Sequence, residues 1–69
     1  MITRFNPGQE VFFIHRAVDK SVTIKKGVVI KIVITKDNVT YDIRTTDGVY
    51  HEVTANNIAI YKDTLGILL

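Results

Sequence analysis

Cysteine is absent from this 69-residue chain, which excludes disulfides and thiolate metal sites as sources of stability. Such a composition suits a reducing compartment. The chain has one serine, Ser21, with no base near it in the pattern, so an activated hydroxyl nucleophile has no support. Three tyrosines and three phenylalanines are too few and too scattered for an aromatic cage around a methylated cation. No metal-ligand spacing, glycine-rich phosphate loop or close carboxylate pair is found, so no catalysis, cofactor or metal is expected. The longest apolar run, Val28 to Ile34, is interrupted by Lys31 and is far too short to cross a bilayer. No charged leader followed by an apolar run opens the chain. The expectation is a soluble, cytoplasmic protein (virion or host cytoplasm, if viral) that makes no membrane contact.

What the chain does contain is β-branched residues, which favour strands. No long segment carries a helical period. Asn6-Pro7-Gly8 signals a turn, and Gln9 to His15 then reads as a first strand. Arg16 to Ser21 reads as a polar loop. Val22 to Thr35 is one long strand pattern interrupted at Lys25-Lys26-Gly27, where glycine points to a bulge or bend. Asp37-Asn38 suits a two-residue hairpin loop before a third strand, Val39 to Thr45. Thr46-Asp47-Gly48 suits a three-residue loop before a fourth, Val49 to Thr54. Ala55-Asn56-Asn57 fits a 3₁₀ turn, Ile58 to Lys62 a fifth strand, and Asp63 to Leu69 an apolar tail. Residues 1–62 are therefore expected to form one domain, with 63–69 as its tail.

The two hairpins agree on a register. The first loop pairs Ile34 with Tyr41, Ile32 with Ile43 and Ile30 with Thr45. The second pairs Thr45 with Val49, Ile43 with His51 and Tyr41 with Val53. Together they place Tyr41, Ile43, Ile30, Ile32, Ile34, Val49 and Val53 on one inward face. A slip of one residue would turn the set outward. Val11, Phe13 and Ile60 are expected to complete the interior, with Phe5 and Ile58 at its ends. His51 falls inward in this register, as a packed residue rather than a ligand.

The pattern Phe5-x-x-Gly8-x-x-Val11, Gly27-Val28-Val29 at the bend, Tyr41-Asp42-Ile43, Asp47-Gly48, and Val53 before a short turn resembles the SH3-like and Tudor-like small barrels. The resemblance covers nearly the whole chain and implies an all-β fold: a five-stranded SH3-like barrel built from a strongly bent antiparallel sheet. It implies little about function, because such folds host many. One enzyme family shares the layout, the short plasmid-type dihydrofolate reductases. Their signature Val-Gln-Ile-Tyr would fall at Tyr50-His51-Glu52-Val53, where no position matches, so that activity is only a remote alternative. The transcription-factor type of barrel, with its basic glycine-rich turn, is also a poor match because Gly27 is isolated.

Two surfaces stand out. The registers align Lys31, Arg44 and Tyr50 in an outward row, two cations beside a ring, which could hold an anion or a stacked base. Arg16 and Lys20 in the first loop could add phosphate contacts. The net charge of +2 permits such a partner without requiring one. Phe12, Ile14, Val29 and Val33 should also point outward, alternating with the core set. With Leu65, Ile67, Leu68 and Leu69 of the tail they exceed what a monomer normally exposes. Either the tail folds back over them or a partner does. So small a chain has little core and gains from a partner. The leading expectation is a non-enzymatic protein-interaction or assembly module, self-associating or docked on a larger body, of the kind found among accessory proteins of bacteria and their viruses. The alternative is a nucleic-acid-binding barrel.

Overall fold

The valine-, isoleucine- and threonine-rich stretches form the strands, as their branched side chains favour. The computed structural model describes residues 4–68, and the side chains of residues 4–66. Its elements are β1 (Glu10–Arg16), β2 (Val22–Ile34), β3 (Val39–Thr45), β4 (Gly48–Thr54), a 3₁₀ turn η1 (Ala55–Asn57), β5 (Ile58–Ala59) and a helix α1 (Lys62–Leu68). The strands make one antiparallel sheet in the order β4-β3-β2-β1-β5. The fold is all-β apart from the short helix. Among the described residues no ladder joins β4 to β5, so the sheet is not closed by hydrogen bonds.

β2 serves two neighbours. Val22 to Val28 pair with β1, and Val28 to Ile34 pair with β3. Gly27 lies at the changeover and is buried. A Cβ there would sit 2.6 Å from the Arg44 carbonyl oxygen and 2.6 Å from Ile43 Cγ2. Only glycine lets β2 pass that close to β3.

The concave face of the sheet buries Phe5, Val11, Phe13, Val29, Tyr41, Ile43 and Ile58, with Ile32, Val39, Tyr50, Val53 and Ala55 packed around them. Phe5 meets Tyr41 edge-on at 5.4 Å. The Tyr41 hydroxyl accepts the Arg4 backbone N–H at 2.9 Å, so this buried phenol keeps a polar partner. Tyr50 on β4 packs against Phe13 on β1 at 5.3 Å, which shows how far the sheet curls. On the convex face a second cluster forms from Ile14, Ala59 and Leu65, with Phe12 and Ile24 beside it. Leu65 brings α1 onto β1 and β5.

The hairpin loops differ from the expected ones. The first turn centres on Lys36-Asp37, not Asp37-Asn38. The Thr35 N–H donates to the Asn38 carbonyl at 2.8 Å, and the Asn38 N–H donates to the Thr35 hydroxyl at 3.1 Å. Ile34 therefore pairs with Val39 and Ile32 with Tyr41. The second turn has two residues, Thr46-Asp47, with Thr45 opposite Gly48. The Thr45 hydroxyl closes it, accepting from the Asp47 N–H at 3.0 Å, while Gly48 takes φ +133°. In both turns a threonine hydroxyl supplies the local bond that moves the loop by one residue.

Two irregularities then restore the core. β2 carries one extra residue between Val29 and Lys31, so Val29 pairs with Ile43 and turns inward, contrary to expectation, while Ile30 is exposed. β4 carries one extra residue opposite the span from Tyr41 to Ile43, so Tyr50 pairs with Ile43 and Val53 with Tyr41. Tyr50 is thus inside, and Val49 and His51 are outside, each the reverse of the sequence-based register. Ile34 and Ile60, assigned to the interior, are also exposed. The fifth strand ends at Ala59 rather than Lys62, and Lys62–Leu68, most of the expected tail, form a helix.

Candidate interaction surface

The alternation of side chains on β3 sets the surface. Tyr41 and Ile43 face the core, so Asp42 and Arg44 between and beside them face out. Pairing carries Lys31 to the Asp42 level, and Val28 and Val49 to either side of Arg44. Val33 stands opposite Thr40. The outer face of β2–β3–β4 therefore presents Val28, Val33 and Val49, with Ile30 exposed at the bulge. Ile30 and Val49 are both 41% accessible. Lys31, Arg44, His51 and Glu52 are exposed around them. Helix α1 covers the other half of this convex side, over β1 and β5.

Asp42 is the polar centre of the face and is buried. Its Oδ1 accepts the Glu52 backbone N–H at 3.2 Å, and its Oδ2 lies 3.2 Å from His51 Nδ1. Sequence reasoning named Asp42 only within the Tyr41-Asp42-Ile43 pattern and did not single it out. The signal that could have found it is an acid between two core residues on a central strand.

The expected anion row does not form. Lys31 lies opposite Asp42 and Arg44 opposite Val28, so the two cations stand in adjacent rows rather than side by side. Tyr50 leaves the row altogether for the interior. Arg16 is exposed and its guanidinium reaches the Asn57 side-chain oxygen at 3.3 Å. Lys20 is exposed in the β1–β2 loop at φ +71°. Two further lysines are drawn to acids: Lys26 lies 3.9 Å from Glu10, and Lys25 3.0 Å from Asp47. Lys25 also stands over the Tyr50 ring at 5.6 Å. Hydrogen bonds to Asp47 first and Tyr50 second hold the Lys25 ammonium above its ordinary range.

The expected apolar strip divides. Val29 is in the core. Phe12 and Ile14 lie under α1, where Leu65 is fully buried against them. Val33 alone joins the open face. The side chains of Ile67 and Leu68 lie outside the described residues.

Two shallow grooves flank the sheet. One, of about 330 Å³, runs between the Lys36-Asp37 turn and η1 and is lined by Asp37, Asn38, Val39, Thr54, Ala55 and Asn56. The other, of about 340 Å³, lies between Arg4–Phe5, β5 and the start of α1. Among the described residues no group of three His, Asp or Glu side chains converges as a metal site would require. Ser21 donates its hydroxyl to Asp19 at 2.7 Å in the β1–β2 loop, on a different element from His51. Compared with known proteins, the chain matches no family model, no curated relative and no solved structure, which leaves its own geometry as the basis for a functional reading.

Proposed function

We propose that this chain is a non-catalytic protein-docking module on an SH3-like barrel, and that it binds through the outer face of β2–β3–β4. Three features support the barrel: the strand order, a long β2 shared by both halves of the sheet, and a 3₁₀ turn between the last two strands. The observation that carries the binding surface is the pair of exposed aliphatics Ile30 and Val49, set among Lys31, Arg44 and Glu52 on the half of the sheet that α1 does not cover. A small apolar centre with a charged rim is the usual anatomy of a protein interface. The same face disfavours nucleic acid, because the acids Asp42 and Glu52 interrupt its cations.

The test is amine-directed cross-linking of the intact protein in cells that express it, read by mass spectrometry. Cross-links to a partner, or to a second copy, should concentrate at Lys31. They should disappear in Ile30→Asp/Val49→Asp while any at Lys20 persist. Links spread evenly over all lysines, or unchanged by the double substitution, would refute the surface.

A further inference from the structure

The β3–β4 hairpin has two self-consistent registers. In the one observed, a two-residue turn at Thr46-Asp47 is followed by an extra residue in β4, where Glu52 takes φ +57°. In the other, a three-residue loop at Thr46-Asp47-Gly48 gives uninterrupted pairing of Ile43 with His51 and Tyr41 with Val53. That second register is the one favoured by turn chemistry alone, and it needs no residue other than glycine at positive φ. Tyr41 pairs with Val53 in both, so the two forms differ only between the turn and the bulge.

The geometry points to Asp42 as the residue that selects the bulged register, and thereby keeps the long free edge of the sheet unfit to pair with another chain. Asp42 is buried on the central side of the bulge, and its carboxylate reaches the two residues that create it: the Glu52 N–H and His51 Nδ1, both at 3.2 Å. These bonds exist only when β4 holds its extra residue. They compensate a left-handed backbone at a residue with a Cβ. Lys31, across the ladder on β2, is the other charged group at this level.

The bulge matters because β4 is an edge strand. It has seven residues, against two in β5 at the opposite edge. Its Val49, Tyr50, Val53 and Thr54 are strong strand formers. A flat edge of that composition templates pairing with a second chain, whereas a bulge twists it away and charged side chains block it. His51 and Glu52 sit at the bulge and are exposed. Asp42 is a positioning residue here, acting through the backbone of β4. This inference does not rest on the docking face proposed above, although the bulged register is what turns Val49 outward onto it.

The experiment is solution NMR of Asp42→Ala. The Ile43–Tyr50 cross-strand contact should weaken and an Ile43–His51 contact should appear, with the flat register reaching at least about 10% of molecules. β4 amides should then gain protection as protein concentration rises, the sign of edge pairing. Asp42→Ala/Glu52→Gly should return to the bulged register, because glycine takes positive φ without help. Glu52→Val, which leaves Asp42 in place but penalises positive φ, tests the same equilibrium should Asp42→Ala fail to fold. If every folded variant keeps Tyr50 opposite Ile43, the inference is overturned. It is also overturned if the glycine variant fails to reverse the alanine one.

Discussion

Leu65 of α1 is fully buried against Ile14 of β1, and through that contact the helix seals the convex side of β1 and β5. Leu65→Ala should lower stability by about 2–5 kcal/mol, the range for emptying a buried leucine site. The loss would appear in urea denaturation. Binding of an apolar dye should rise in parallel as Phe12 and Ile14 are uncovered. A shift under about 0.5 kcal/mol, as for an ordinary surface change, would mean that α1 does not cover the sheet in solution.

Gly27→Ala places a methyl 2.6 Å from a backbone oxygen of β3, an atom that cannot rotate away. Destabilisation of about 1–3 kcal/mol is expected from such overpacking, with Gly27→Val worse. By contrast, Gly66→Ala meets nothing within 4 Å and should be neutral or stabilising. Thermal melts of the three variants check the ordering.

Tyr50 and His51 offer a direct contrast. Tyr50 packs on Phe13 and has His15 edge-on at 4.8 Å, whereas His51 is exposed. Tyr50→Ala should cost about 1–3 kcal/mol as a half-buried ring is lost, and Tyr50→Phe much less. His51→Ala should cost under about 1 kcal/mol. The reverse order would return β4 to the unbulged register.

The β1–β2 loop carries a pH marker. The Asp19 carboxylate accepts the Ser21 hydroxyl at 2.7 Å and the Ser21 N–H at 3.0 Å, and these bonds lower its pKa from 3.8. Because the folded value is depressed, the loop contacts persist above the ordinary carboxylate range and are lost as pH falls through the lowered value. The Ser21 amide resonance should titrate with a midpoint below 3.8. A midpoint at or above it would remove the turn.

Nucleic-acid binding should be absent. Arg16, Lys20, Lys31 and Arg44 are dispersed over three strands and a loop, and Tyr50 has no outward face to stack a base. A labelled oligonucleotide should show no polarisation change even at low salt, where phosphate contacts are strongest. Salt-sensitive binding would favour the competing reading.

The five-strand order of elements, the 3₁₀ turn at Ala55–Asn57 and the buried set Phe5, Val11, Phe13, Tyr41, Ile43 and Ile58 were all legible from residue type and spacing, whereas the irregularity expected at Lys25-Lys26-Gly27 falls at Ile30 instead. What was not legible is local hydrogen bonding of threonine. Thr35 and Thr45 each close a turn with a side-chain oxygen, which relocates the loop by one residue, and propensity does not weigh such bonds. Each relocation would have inverted a strand, and a bulge beside it undoes the inversion before the core is lost. The faces of Val29, Ile30, Tyr50 and His51 were therefore misread, while Tyr41, Ile43 and Val53 were read correctly. The proposed binding face inherits this: Lys31, Arg44 and Val33 were visible in the sequence, but Ile30 and Val49 had been assigned to the interior. The helix escaped notice because seven residues are too few to display a period.

The division of β2 between two partners has a bearing on how the chain comes apart. Its first half is held by β1 and its second by β3, with Val28 common to both ladders. A protease cut there would sever the one segment that ties the halves together, and neither piece would keep a complete interior. Unfolding should accordingly be all-or-none, as in other small single domains, and complementation by two co-expressed fragments would have to break the chain at the Thr46-Asp47 turn instead.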